Sequence, residues 1–170
     1  MIETIYDLKF HKERLFRETE GVHFSAIDVP GSNGIDLVHH KKQAVSPPNT
    51  LWGDRQYYVH RHQTDWNRVI AGSRVFELIN PMWNIPRYFV MLRPETGAVC
   101  IPPGTLHRSV SCEEGSILLN HAVRDELYDE TKEFHPVKAY EYMMRMKPTC
   151  IGATDSEIAA FLAKNEGAAV

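Results

Sequence analysis

From Gln56 onward the chain is cut into short apolar runs by turn-forming residues, and this punctuation constrains the fold more than any other feature. The runs are Gln56 to His62, Asn67 to Ala71, Arg74 to Ile79, Tyr88 to Leu92, Ala98 to Ile101 and Ser116 to Val123. Between them stand Gly72-Ser73, Asn80-Pro81, Pro94-Glu95-Thr96-Gly97, Pro102-Pro103-Gly104 and Glu113-Glu114-Gly115. Glycine and proline break helices and shape turns, so the pattern predicts many short strands. No helix-length amphipathic stretch lies between the runs, which excludes repeated βαβ units and points to an antiparallel sandwich or barrel.

Either side of this region the signals are sparser. One strand is predicted over Val22 to Val29, closed by Pro30-Gly31-Ser32-Asn33-Gly34, and a loop follows at Ser46-Pro47-Pro48-Asn49. The adjacent His39-His40, beside Lys41-Lys42, reads as a solvated loop, because neighbours on a strand point to opposite faces. Near the end, Thr154-Asp155-Ser156-Glu157 has the form of a capping box ahead of Ile158, Phe161 and Leu162, which share one helical face. Val137 to Met146 fits either a short helix or irregular chain. The resulting organisation is a single domain: residues 1–50 packing on a core formed by 51–136, with 137–170 as a C-terminal extension.

The 170 residues suffice for one such core. A net charge of −3 argues against nucleic acid or an anionic membrane as partner, and no apolar run is long enough to span a bilayer. Glu3, Asp7, Lys9 and Lys12 interrupt the N-terminus where a signal peptide would need an uncharged stretch. Cys100, Cys112 and Cys150 are odd in number and widely spaced, which fits reduced thiols in the cytoplasm.

Two segments carry the chemistry. Gly97 through Ser111 places a glycine after a turn, a short apolar strand, Pro102-x-Gly104 and then His107. The prolines end the strand and Gly104 permits a tight turn, so His107 opens the next strand. This segment resembles the second motif of the cupin superfamily, with Ser111 where asparagine is common. Counting back seven residues from Gly72 gives Asp65, in place of the usual glutamate, and five before that His60. The first histidine position of the cupin motif then falls on Tyr58. In a second register His60 and His62 form the pair. The resemblance implies an all-β, cupin-type double-sheet jelly-roll barrel with a short C-terminal helix, its histidines facing a pocket.

Within the superfamily the chain is similar to the RmlC-like epimerases that act on dTDP-4-keto-6-deoxyhexoses. The likeness runs through Ala71-Gly72-Ser73-Arg74-Val75-Phe76-Glu77, Ile101-Pro102-Pro103-Gly104-Thr105-Leu106-His107, the strand Ile117 to Val123 and Leu127-Tyr128-Asp129. It covers Leu51 to Pro136; the family's Arg-Gly-Leu-His segment and late Trp-x-Asp-Pro element have no counterpart. The resemblance implies acid–base chemistry beside a keto group without a cofactor, with His60 as base and Tyr128 or Tyr58 as acid. Tyr58, His62, Gln63, Asp65, Arg68, His107 and His121 are expected to line the substrate pocket. Arg55, Arg68, Arg87 and Arg108 are candidates for holding a phosphate or carboxylate. The alternative enzyme is a metal-dependent cupin, a dioxygenase or metal-bound isomerase, in which His60, His62 and His107 bind one divalent transition metal with Asp65 as an optional fourth ligand. A third possibility is a metabolite-binding cupin without turnover. The expected partners are a small molecule, a sugar nucleotide among the options, and a second copy in a homodimer.

Overall fold

The computed structural model describes residues 1–20 and 22–166, so the last four positions of the expected 137–170 extension lie outside the described residues. In chain order the strands are β1 (Ile2–Ile5), β2 (Leu8–His11), β3 (Arg14–Thr19), β4 (Val22–Ala26), β5 (Gly34–His40), β6 (Val45–Ser46), β7 (Gln63–Ile79), β8 (Arg87–Leu92), β9 (Ala98–Ile101), β10 (Leu106–Arg124) and β11 (Thr149–Ile151). Short helices α1 (Glu130–Glu133) and α2 (Glu141–Met144) precede the longer α3 (Asp155–Asn165). Nine strands form one sheet with the path β1-β2-β9-β7-β10-β5, and β3–β4 is a separate hairpin. No helix among the described residues is long and apolar enough to cross a membrane.

Two long strands organise everything else. The runs predicted either side of Gly72-Ser73 are one continuous strand, β7, and the run predicted from Ser116 is the second half of β10, which begins at Leu106. Glycine signalled a break where the hydrogen bonding continues through a bulge. Gly72 and Gly115 meet there with φ of 73° and 89°, and a Cβ on Gly72 would stand 2.3 Å from the Gly115 carbonyl. Past the bulge each strand changes partner. The first half of β7 pairs with β9 and the second half with β8, both on the side away from β10. The two halves thereby fold over a shared interior packed with Leu8, Phe10, Val69, Phe76, Leu78, Val99, Ile101 and Leu118.

Strands β1, β2, β3, β5, β6 and β11 went unread in the sequence, and all of them but β3 are hydrogen-bonded members of the main sheet. The predicted loop at His39-His40 is therefore corrected: both residues lie on β5, His39 outward and exposed, His40 inward and buried. His40 Nδ1 lies 3.0 Å from Ser111 Oγ. The predicted strand over Gln56 to His62 reduces to isolated bridges at Tyr57 and Tyr58, followed by a bend. The strand predicted to run to Val29 stops at Ala26. At the C-terminus α3 starts from the expected capping box, with Thr154 accepting from the Glu157 amide, and buries Ile158 against Val75 and Met91.

Burial, then the charge of Arg74, pushes the His40 imidazole down from 6.5 to about 4. A folded-state pKa below the unfolded one means this contribution to stability is whole above pH 6.5 and is lost as pH falls toward 4. Chemical denaturation between pH 7.5 and pH 4.5 should show stability falling by about 1.4 kcal/mol per unit for this group within that window. His40→Gln should flatten the slope by that amount, and an unchanged slope would refute the assignment.

Candidate active site

Between the halves of β7 and β10 lies a cavity of about 430 Å³. Strand alternation selects its lining: Asp65 and Asn67, then Arg74 and Phe76 on β7; His107 and Ser109, then Leu118 and Asn120 on β10. The bulges shift the count by an odd number of residues in each strand, so both halves present their polar residues to the same space. Tyr58 and His60 enter from the segment before β7 and Gln63 from its first position, while Arg124 closes β10 and Tyr128, Glu130 and Phe134 come from the segment after it.

His60, Asp65 and His107 converge, all buried, with one ligand-type atom each lying within 4.8 Å of the others. His60 Nε2 is 3.5 Å and His107 Nε2 3.9 Å from Asp65 Oδ2. Each imidazole is held from behind by a carbonyl: His60 Nδ1 by Glu133 O at 3.0 Å, His107 Nδ1 by Thr105 O at 3.1 Å. A carbonyl only accepts, so Nδ1 carries the hydrogen in both rings and the Nε2 lone pairs face the cavity. The other Asp65 oxygen accepts from Gln63 Nε2 at 2.6 Å and Asn120 Nδ2 at 2.8 Å, which fixes the carboxylate plane. Burial pushes the His107 imidazole down, with His60 adding to the effect, against the opposing pull of Asp65.

Glu133 was not singled out in the sequence, yet it is buried behind His60. Its carboxylate accepts from the Arg61 amide at 2.8 Å and lies 3.6 Å from His60 Nδ1. Phe134 packs edge-on against His60 with ring centres 5.0 Å apart. Neither residue has a sequence signal, because the turn after Tyr128 that returns them to the cavity follows no motif. On the opposite wall Arg124 lies over the Tyr128 ring at 4.5 Å and donates to Asp36 and Gln63. Arg74 is buried deeper, donating to Ser116 Oγ at 3.0 Å, and forms no ion pair among the described residues. Desolvation pushes its guanidinium down to about 10.

Of the expected pocket residues, Tyr58, His60, Gln63, Asp65, His107 and Tyr128 come together and three do not. His62 was paired with His60 on the rule that alternate strand residues share a face, but the chain bends there instead of extending. His62 turns outward, its Nδ1 3.0 Å from Asp125 Oδ2, and so cannot join a metal site with His60 and His107. Arg68 and His121 follow inward-facing Asn67 and Asn120 and therefore point through the other face of the sheet. The arginine candidates change for the same reason. Arg55, Arg87 and Arg108 belong to an outer ion network around Glu77 and Glu166, while Arg74 and Arg124 line the cavity.

This strand path around a polar cavity is shared with solved sugar-nucleotide isomerases and epimerases. Among solved structures, the QdtA sugar 3,4-ketoisomerase of Thermoanaerobacterium thermosaccharolyticum superposes with a TM-score of 0.57 at 18% identity, over 83% of this chain and 94% of that one. The WlaRB TDP-quinovose 3,4-ketoisomerase of Campylobacter jejuni gives 0.57 at 16% identity, over 83% and 99%. A dTDP-4-dehydrorhamnose 3,5-epimerase of Bacillus anthracis, solved with TDP and PPi bound, gives 0.61 at 12% identity, over 92% and 97%. At these identities the likeness is one of fold. No protein-family model and no curated protein matches the chain.

Proposed function

We propose that the chain is an isomerase or epimerase acting on a keto sugar linked to a nucleoside diphosphate. The observation that carries this reading is His60: its Nδ1 hydrogen is committed to the Glu133 carbonyl, so its Nε2 lone pair stands free in the cavity beside Asp65. A base so held can take a proton from carbon next to a ketone, and the imidazolium formed would lie between the Asp65 and Glu133 carboxylates. Tyr128, on the cavity wall, would return a proton, its phenol pKa raised by desolvation. The unpaired charge of Arg74 suits a phosphate or an enolate oxygen. The fold neighbours support the substrate class, a variant of the QdtA ketoisomerase having been solved in complex with TDP-4-keto-6-deoxyglucose. The test is to incubate the protein with that sugar nucleotide in D₂O and follow deuterium entry and product by NMR. Deuterium at a carbon flanking the ketone, with a new keto sugar or epimer, is expected; no exchange with it or with the epimerase substrate would reject the reading.

A second reading rests on the triad itself. Two Nε2 lone pairs and one carboxylate oxygen with separations of 3.5 and 3.9 Å match the donor set of a divalent transition metal, each histidine being oriented by an outer carbonyl. The ligands would be His60, Asp65 and His107, with His62 excluded. A bound metal would supply a Lewis acid for the substrate's oxygens. Titration with Zn²⁺ and Mn²⁺ is expected to show one site per chain under this reading, abolished by Asp65→Ala. Elemental analysis finding no metal, with full turnover in chelator, leaves the metal-free chemistry.

A homodimer is supported by the outer side of β5, where Ile35 and Leu37 are 68% and 66% exposed while Asp36 and Val38 face in. The free thiols of Cys100, Cys112 and Cys150 fit a reducing, cytoplasmic setting.

A further inference from the structure

On the sheet's outer face, opposite the cavity, the three residues that left the expected pocket's orbit or were never part of it form a cluster of their own. His11, Arg68 and His121 are 6%, 3% and 9% exposed, and His11 Nδ1, Arg68 Nε and His121 Nε2 are buried without a hydrogen-bond partner. The register explains their proximity. His11 on β2 pairs with Ala98 on β9, Arg68 on β7 lies one step on from the Asn67–Val99 pair, and Leu119 on β10 pairs with Arg68, two residues before His121. Ala98 on β9 lies between His11 and Arg68 in the register, and Trp66 is edge-on to His11 at 6.1 Å between ring centres.

Arg68 is buried, while the carboxylates that act on the cluster, Glu13 and Asp28, have side chains 49% and 84% exposed. Arg68 donates to the His11 carbonyl at 3.2 Å, and its one ion pair is with Glu13 at 3.7 Å, a side chain that is itself half exposed. The N-terminal amine of Met1 and Asp28 are the other charges that act on His11. Buried polar atoms nearly always find partners, and a buried guanidinium without a close carboxylate is costly. What these atoms lack is a compact, negatively charged hydrogen-bond acceptor.

We infer that His11, Arg68 and His121 form a second ligand site, outside the catalytic cavity, for a small oxyanion of the phosphate or sulfate kind. Arg68 Nε donates to one oxygen, and the two imidazoles donate to others once protonated. Desolvation first holds both histidines below the usual range, followed at His11 by the Met1 amine and then the Arg68 guanidinium and at His121 by the guanidinium; an anion opposes these neighbouring positive charges. The site stands on geometry independent of the catalytic reading.

The experiment is a titration of the full chain with inorganic phosphate at constant ionic strength, read on the imidazole ¹H–¹⁵N resonances. The His11 and His121 signals are expected to shift saturably and together, and their titration midpoints to rise by about one pH unit. Exposed His39 serves as the control and should not move. Arg68→Gln should abolish the response and Arg68→Lys retain a weaker one; if either fails to fold, His121→Asn should remove the His11 response. The inference is overturned if His11 and His121 respond no more than His39. It is equally overturned if their shifts follow protein concentration and ignore phosphate, since a carboxylate from a second copy would then fill the place.

Discussion

Replacing His60 by asparagine is expected to lower turnover by about 10²–10⁴-fold while the protein stays folded, the range that a positioned general base contributes. The side chain is 5% exposed and packs on Phe134 and His107, so a small polar replacement tests the base without opening a large void. The asparagine amide can still donate toward the Glu133 carbonyl. What disappears is the Nε2 lone pair beside Asp65, and with it the acceptor for the substrate proton. Deuterium exchange should fall in step with turnover and substrate binding should be little altered, because Arg74 and Arg124 remain. Tyr128→Phe divides the steps differently: exchange at the first carbon survives, and product formation is lost. If His60→Asn exchanges deuterium at the wild-type rate, another group is the base.

That experiment targets a residue whose place in the cavity was legible before the fold was known. The count from His60 to Asp65 to Gly72, and the Pro-x-Gly turn before His107, encode where strands start, and strand starts determine what meets at the mouth of the cavity. The strand β9 was read to the residue and β8 to within one, since prolines and glycines close both. The remaining lining was hidden by parity. Arg68 and Arg74 are equally plausible from composition, and only the bulge at Gly72 decides that Arg74 faces in and Arg68 out. Asn120 and His121 pose the same question after the bulge at Gly115. A bulge flips every side chain beyond it, and its register depends on a close approach of two backbones, not on any local run of residues.

Strand β5 was missed for a related reason. Its apolar Ile35 and Leu37 face outward and its Asp36 and His40 inward, the reverse of a strand whose core is hydrophobic. A cavity lined by polar side chains inverts the usual alternation, so the pattern that finds strands elsewhere reads this one as loop. The inversion is itself informative: Asp36 holds Arg124 at 2.6 Å, and Arg124 in turn covers Tyr128, so this strand builds a wall of the site.

Glu77→Ala is expected to destabilise the fold by about 3–5 kcal/mol, the cost of leaving a buried charge without its partner. Glu77 faces outward between inward Phe76 and Leu78 and is 5% exposed. One of its oxygens accepts from Arg87 Nε at 2.9 Å and Nη2 at 2.6 Å, and the other from the Tyr57 hydroxyl at 3.0 Å, with Arg55 3.5 Å away. Arg87 also donates to the carbonyls of Met144 and Met146, and Arg55 and Arg108 both reach Glu166 at the end of α3. Glu77 therefore anchors the C-terminal segment to β7 and β8 through a chain of cations. Removing its carboxylate strands Arg87 in a site built for an ion pair, and the segment should loosen with it. Urea denaturation measures the loss; the double variant Glu77→Leu with Arg87→Leu should recover much of it, because an apolar pair carries no desolvation penalty. A loss below about 1 kcal/mol for Glu77→Ala, the value of an exposed pair, would mean that solvent reaches this network and that α3 is held by Ile158 and its apolar neighbours alone.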